Sequence, residues 1–245
     1  MLLLISALIS VVNIALPSCI HRSTTEVRCL QVSYSIPIVG SDGTLIDNSN
    51  FFNIYYYKDL VLFQFRTRYD STFNGQLVKE VFRHSYVVFN RNDAYGITYD
   101  PYDSAKDNKR VRVDSILEKR GLQNFKWEMI TQFKPIQSTY HKTTGILEEV
   151  YVPAVGKEGL SKDTIRFYYT TRLTEFDYSF SRKIDSLKGI KLFRIEIQYS
   201  AAFDTVHKIA VPKRKTWLEM RAVPVNDKNA IMQYFRWYTQ STPAQ

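Results

Sequence analysis

Val61-Leu62-Phe63-Gln64-Phe65-Arg66-Thr67-Arg68 decides the fold. Val61, Phe63, Phe65 and Thr67 fall on one side of an extended chain, and Leu62, Gln64, Arg66 and Arg68 on the other. Period two with β-branched and aromatic residues on one parity is the signature of a strand with one dry face. Immediately before it stands the aromatic run Phe51-Phe52-Asn53-Ile54-Tyr55-Tyr56-Tyr57. Working outward, the same alternation recurs. Leu30, Val32, Tyr34 and Ile36 share a face, and Val81, Arg83, Ser85 and Val87 oppose Phe82, His84, Tyr86 and Val88. Further strands are expected at 165–173, 192–199, 217–223 and 231–238. Turn residues separate them: Gly40-Ser41-Asp42-Gly43, Asn74-Gly75, Asn90 to Asp93, and Val155-Gly156-Lys157. Asn74-Gly75 suits a tight hairpin, because both residues tolerate positive φ.

Helix is scarce. A short one is expected at 113–120, with Asp114 as N-cap and Gly121 ending it, and a turn of helix at 185–188 before Gly189. The composition agrees, with 17 Tyr and 15 Phe, residue types that suit a pleated, half-buried surface. The expected fold is mainly β: ten to twelve strands in an antiparallel, strongly curved sheet or open barrel with one or two short helices. A two-sheet β-sandwich is the competing architecture.

The N-terminus organises the chain. Residues 1–18 carry no charged side chain. The apolar run 2–16 is about fifteen residues, short of the roughly 20 that a spanning helix needs. It breaks at Pro17, and polar, basic residues follow at His21, Arg22 and Arg28. This reads as an export signal. Leu16-Pro17-Ser18-Cys19 resembles the bacterial lipobox, with Pro17 in place of a small residue and no Lys or Arg after Met1. The resemblance implies lipidation at Cys19 and membrane association through it. The expected division is a signal segment 1–18, an N-terminal tether 19–29 and a single β-rich domain 30–245. About 225 residues then remain, enough for one well-packed domain, and no linker, repeat or low-complexity tract divides them. The two cysteines, Cys19 and Cys29, allow a disulfide only if Cys19 is not lipidated, and exclude a disulfide scaffold or zinc site.

The net charge of +9 concentrates at Lys109-Arg110-Val111-Arg112 and Lys213-Arg214-Lys215. Solvated loops and strand ends explain these stretches more simply than a nucleic-acid groove, and export makes nucleic acid no partner. An anionic membrane surface suits exposed Lys and Arg better.

Catalytic patterns are missing. His21, His84, His141 and His207 form no helical pair, and no nucleophile elbow, P-loop or dinucleotide fingerprint occurs. No metal site or cofactor is expected. Asp93, Asp100, Asp103 and Asp107 read as turn residues around Pro101 rather than calcium ligands. Glu148-Glu149 reads as a solvated strand end rather than half of a glycosidase pair.

The signal with its Cys19, the Tyr/Phe-rich alternation and Asp185-Ser186-Leu187 leading into 192–199 together resemble exported β-rich proteins of Bacteroidota-type cell envelopes. More loosely, they are similar to periplasmic half-barrels that carry lipoproteins. The resemblance implies an exported protein, periplasmic or outer-membrane-associated. Ile20, His21 and Arg22 stand where acidic residues often follow a surface-displayed lipoprotein cysteine, which points to the periplasmic side. The expected function is non-enzymatic binding of a hydrophobic ligand, a lipid or an envelope protein on the curved sheet. A structural assembly component and a secreted hydrolase are the alternatives. Phe63, Phe65, Tyr55 and Tyr57 are the expected ligand-binding side chains, because aromatics on such strands line any cavity the sheet encloses.

Overall fold

The computed structural model describes residues 25–73, 76–100, 108–119, 134–152 and 162–241. The signal segment, Cys19, Asn74-Gly75, Asp103, Asp107, Gly121 and the turn at 155–157 lie outside them. In chain order the first strands are β1 (Arg28–Ser35), β2 (Ile38–Val39), β3 (Leu45–Ile46), β4 (Ser49–Tyr57), β5 (Leu60–Phe73), β6 (Gln76–Asn90), β7 (Tyr95–Tyr99) and β8 (Lys109–Arg112). Helix α1 (Val113–Lys119) precedes β9 (Gln137–His141), β10 (Ile146–Tyr151) and β11 (Lys162–Thr170). Helix α2 (Arg182–Lys188) leads into β12 (Lys191–Tyr199), β13 (Ala202–Asp204), β14 (Ile209–Val211) and β15 (Arg214–Val223), and α3 (Lys228–Ser241) follows.

Eleven strands form one antiparallel sheet in the order β8-β7-β6-β5-β4-β1-β15-β12-β11-β10-β9. The sheet does not close, and its strands are not divided into a sandwich. Its core is built on register. Phe63 of β5 stands opposite Ile54 of β4, Ile54 opposite Leu30 of β1, and Leu30 opposite Ala222 of β15. Cross-strand partners share a face. Leu30, Ile54 and Phe63 therefore lie in one apolar layer, joined by Phe167 of β11 and Ile195 of β12. The edge strand β8 exposes Lys109, Arg110 and Arg112, which discourages pairing with another chain.

Helix α3 covers part of the opposite face. Ile231, Phe235 and Tyr238, spaced i, i+4 and i+7, pack on Cys29, Tyr55, Leu62, Val88 and Tyr99. The expected strand at 231–238 is thus a helix, and the protein has a third one. Met232, Tyr234 and Trp237 put apolar side chains between the buried ones and masked the helical period. The start signal was there: Asp227 Oδ1 accepts the Ala230 amide at 2.9 Å. Beside α3 the same face is a polar ladder. Arg221 donates to Gln31, Gln31 to Asn53, Asn53 to Gln64 and Gln64 to Tyr86.

Smaller corrections concern boundaries. Val113 is already helical, so Asp114 lies inside the first turn of α1 rather than capping it; a carboxylate there still favours the helix dipole. Helix α2 starts at Arg182, capped by Ser181 Oγ on the Ile184 amide at 3.3 Å and closed by Gly189 at φ 68°. Strand β11 stops at Thr170 and β1 at Ser35, which leaves Leu173 and Ile36 outside the ladders. Val27 and Cys29, in the tether by sequence, are buried in the domain.

Candidate functional site

Residues 171–181, between β11 and α2, cross the apolar face of the sheet. They start on β11 and reach β4, four strand spacings or roughly 19 Å away. Phe176 packs on the Tyr56 ring at 5.4 Å, and Tyr178 meets Phe52 edge-on at 6.0 Å and Phe63 at 6.3 Å. Polar contacts hold this strap in place. Arg28 pairs with Glu175 and Arg91 with Asp177, each at 3.1 Å. The Tyr178 amide donates to the Tyr56 hydroxyl at 3.3 Å. Burial drives the ionisation of both phenols, Tyr56 and Tyr178, far upward.

The central anchor is Lys191, 8% exposed. Its Nζ donates to the Phe176 and Tyr178 carbonyls at 2.9 and 3.0 Å and lies 3.5 Å from Asp185 Oδ2. Asp185 in turn accepts from the Leu192 amide at 2.7 Å and from Ser179 Oγ at 2.6 Å. A buried cation is tolerable only when paired and hydrogen-bonded in this way.

Where the strap passes the start of β5, the described residues enclose a cleft of about 660 Å³. Its floor is Tyr56, Val61, Phe63, Phe89 and Phe176, and one wall is Val113 and Leu117 of α1. Arg91, Asp93, Asp177, Arg182 and Lys191 form a polar rim. The cleft has the size of a ligand pocket, and polar or charged residues, Asn92, Asp114, Thr174, Ser179 and Asp185 besides those of the rim, make up about half of its lining. Within this rim Arg91 is paired with Asp177, and Lys191 with Asp185.

The four expected ligand-binding residues do not share a lining. Phe63 is on the cleft floor. Phe65 is on the same face, 5.7 Å from Phe63 between ring centres, but packs on Phe52 at 6.0 Å outside the cleft. Tyr55 and Tyr57 point to the opposite face. Tyr55 donates to Gln64 Oε1 at 3.0 Å, and the Tyr57 ring lies 5.8 Å from Phe235 of α3. The reason is register: Tyr55 pairs with Leu62 and Ile54 with Phe63. Even residues of β4 therefore join odd residues of β5, a relation that neither strand reveals alone.

Other candidates resolve locally. His84 is half-buried beside Arg66; burial first, and then that charge, lower its proton affinity. The Arg66 guanidinium stacks over Phe82 at 3.4 Å. His141 lies 3.3 Å from Glu148, and His207 lies 2.9 Å from Asp204. Asp93 accepts from Tyr238 at 3.2 Å. Among the described residues no three His, Cys, Asp or Glu side chains are grouped to hold a metal. Glu149 corrects the expected solvated strand end: it is buried, accepting from Lys188 Nζ and Tyr151 Oη at 2.7 Å each. Sequence reasoning missed Lys191, Asp185, Arg91 and Tyr178. A lone Lys before an apolar strand reads as solvated, and nothing local marks it as buried.

No family model matches the chain, and no curated protein matches it in sequence.

Proposed function

We propose that this is an exported, non-enzymatic cell-envelope protein that binds a small apolar or amphiphilic molecule in the cleft on the curved sheet. The observation that carries the reading is the aromatic floor of Tyr56, Phe63 and Phe89 beneath a charged rim. The apolar run 2–16 ending at Leu16-Pro17-Ser18-Cys19 supports export, with Cys19 as the lipid-anchored residue on the periplasmic side. Cys19→Ser should move the protein from the membrane to the soluble fraction.

The cleft is tested with an apolar fluorescent probe. The folded protein should bind it at low-micromolar affinity, and Leu117→Asp on the cleft wall should weaken binding by about tenfold or more, ~1.4 kcal/mol. Phe63→Asp at the floor should abolish it. Circular dichroism and urea unfolding of both variants separate loss of binding from loss of fold. Leu117 is only half-buried, so its variant tests the cleft even if Phe63→Asp unfolds.

A second reading has its own support. The strap packs Tyr178 directly onto Phe52 and Phe63, which covers much of the apolar face without any ligand. An envelope assembly component lacking a small-molecule site would show that packing. A wild type that never binds the probe favours it.

A further inference from the structure

We infer that β9, at one edge of the eleven-stranded sheet, is a site for strand addition by an acidic, extended segment of a partner protein. Strand β9 ends the strand order, and among the described strands it pairs only with β10. An edge strand leaves the N–H and C=O groups of alternate residues without a partner on its outer side. The other edge, β8, is guarded by exposed Lys109, Arg110 and Arg112. Gln137-Ser138-Thr139-Tyr140-His141 holds no Lys, Arg, Asp or Glu, and all of it but Thr139 is exposed.

The edge is held ready by its hairpin. Residues from Gln137, opposite Val150, to His141, opposite Ile146, pair with β10 without a shift of register. The His141 carbonyl accepts the Thr144 and Gly145 amides at 3.2 and 2.8 Å, and Gly145 turns the chain at φ 68°, a conformation that suits glycine. Large apolar side chains stand in water along this margin: Tyr140 is 62% exposed, and Ile136, just before the strand, is 68%. An added strand covers such side chains with cross-strand partners of its own. A preorganised edge loses little conformational freedom on docking.

Charge selects the occupant. Exposed Lys134 and Lys142 stand beyond the two ends of β9. The carboxylates nearest in register belong to β10 and are already engaged. Glu149 is buried against Lys188 and Tyr151, and Glu148 lies 3.3 Å from His141 and 3.6 Å from Arg166. A second copy of this chain would bring the same lysines to the edge and no free carboxylate on its own hairpin. An extended segment with apolar residues at alternate positions and Asp or Glu toward each end fits both the exposed side chains and the lysines. Its main chain supplies the ladder hydrogen bonds. No residue of β9 lines the cleft, so this contact does not depend on what the cleft binds.

The test uses the full chain carrying Cys19→Ser and a short fluorescent peptide in which valine and threonine alternate between glutamates at both ends. Its anisotropy should rise on adding the protein. Two further peptides carry N-methyl groups on alternate backbone amides, one on the odd set and one on the even. Only one set faces the edge, so one of these peptides should lose binding and the other keep it. Lysines in place of the glutamates should weaken binding about ten-fold or more, and so should Tyr140→Lys, which puts on this edge the kind of charge that guards β8. Arg110→Gln on the other edge should change nothing. Tyr140 is exposed, so urea unfolding of its variant should match wild type, and the methylated peptides need no protein variant. The proposal is overturned by a peptide that does not bind, by an equal effect of both methylated peptides, by a lysine peptide that binds as well, or by a folded Tyr140→Lys that binds like wild type. It is also overturned by self-association in sedimentation that Tyr140→Lys dissolves, which would make the edge a contact between copies of this chain.

Discussion

The Tyr178 amide donates to the Tyr56 hydroxyl at 3.3 Å, tying the strap after β11 to the middle of the sheet across 122 residues of sequence. Lys191 holds the same strap from beneath by its two carbonyl contacts. The strap is therefore part of the packed core and sets one side of the cleft.

Replacing that cation should be costly. Lys191→Met leaves the Phe176 and Tyr178 carbonyls without their donor and Asp185 without its cation, and breaking a buried pair costs about 3 kcal/mol or more. The urea midpoint should fall with an unchanged denaturant slope. A midpoint within error of wild type would show that the strap stands without its anchor.

Glu196 gives a pH dependence. Burial pushes its carboxyl up, but Lys215 and Arg194 outweigh that and hold it below the usual 4.5. A depressed folded value means that its contribution is present above the unfolded value and is lost as pH falls through the folded one. Urea midpoints should therefore drop as pH falls below the usual carboxylate value. In Glu196→Gln the drop over that window should be shallower.

Cys29 should be inert in the native state. Burial pushes its thiol up to about 12, against an opposing hydrogen bond with Tyr55. Thiolate is the reactive form, so iodoacetamide at mildly alkaline pH should leave Cys29 unmodified by mass spectrometry until the protein is unfolded. Rapid native alkylation at Cys29 would contradict its place beneath α3.

The helical reading of the C-terminus is equally open to measurement. Phe235 is 1% exposed among Cys29, Leu62 and Val88, and Phe235→Ala should cost about 3–5 kcal/mol. The neighbouring Gln233→Ala, on the exposed side, should be close to neutral in the same urea titration.

The alternation at Val61 to Thr67 was enough to read β structure and the facing of β5, because pleating sets each side chain's direction from its own backbone. Cationic edge residues and the Gly189 helix end were legible for the same local reason. Strand order was not. Placing β1 between β4 and β15 depends on hydrogen bonds across nearly the whole chain, and no residue of β1 names its neighbours. The parity that puts Tyr56 rather than Tyr55 beside Phe63 is a property of the pair. The 231–238 segment failed differently: apolar on too many positions, it fits both periods, and only the patch of Cys29, Leu62 and Val88 selects the helix.

By itself, then, the sequence determined the β class, the dry face of each clear strand and the basic surface, all consequences of local geometry and composition. The tertiary structure decided which dry faces meet, that Lys191 and Glu149 are buried rather than solvated, and that Tyr56, Phe63 and Phe89 line a shared cleft. Those features depend on groups far apart in the chain. Their energies, from desolvated charge to shared apolar area, exist only once the strands have found their register.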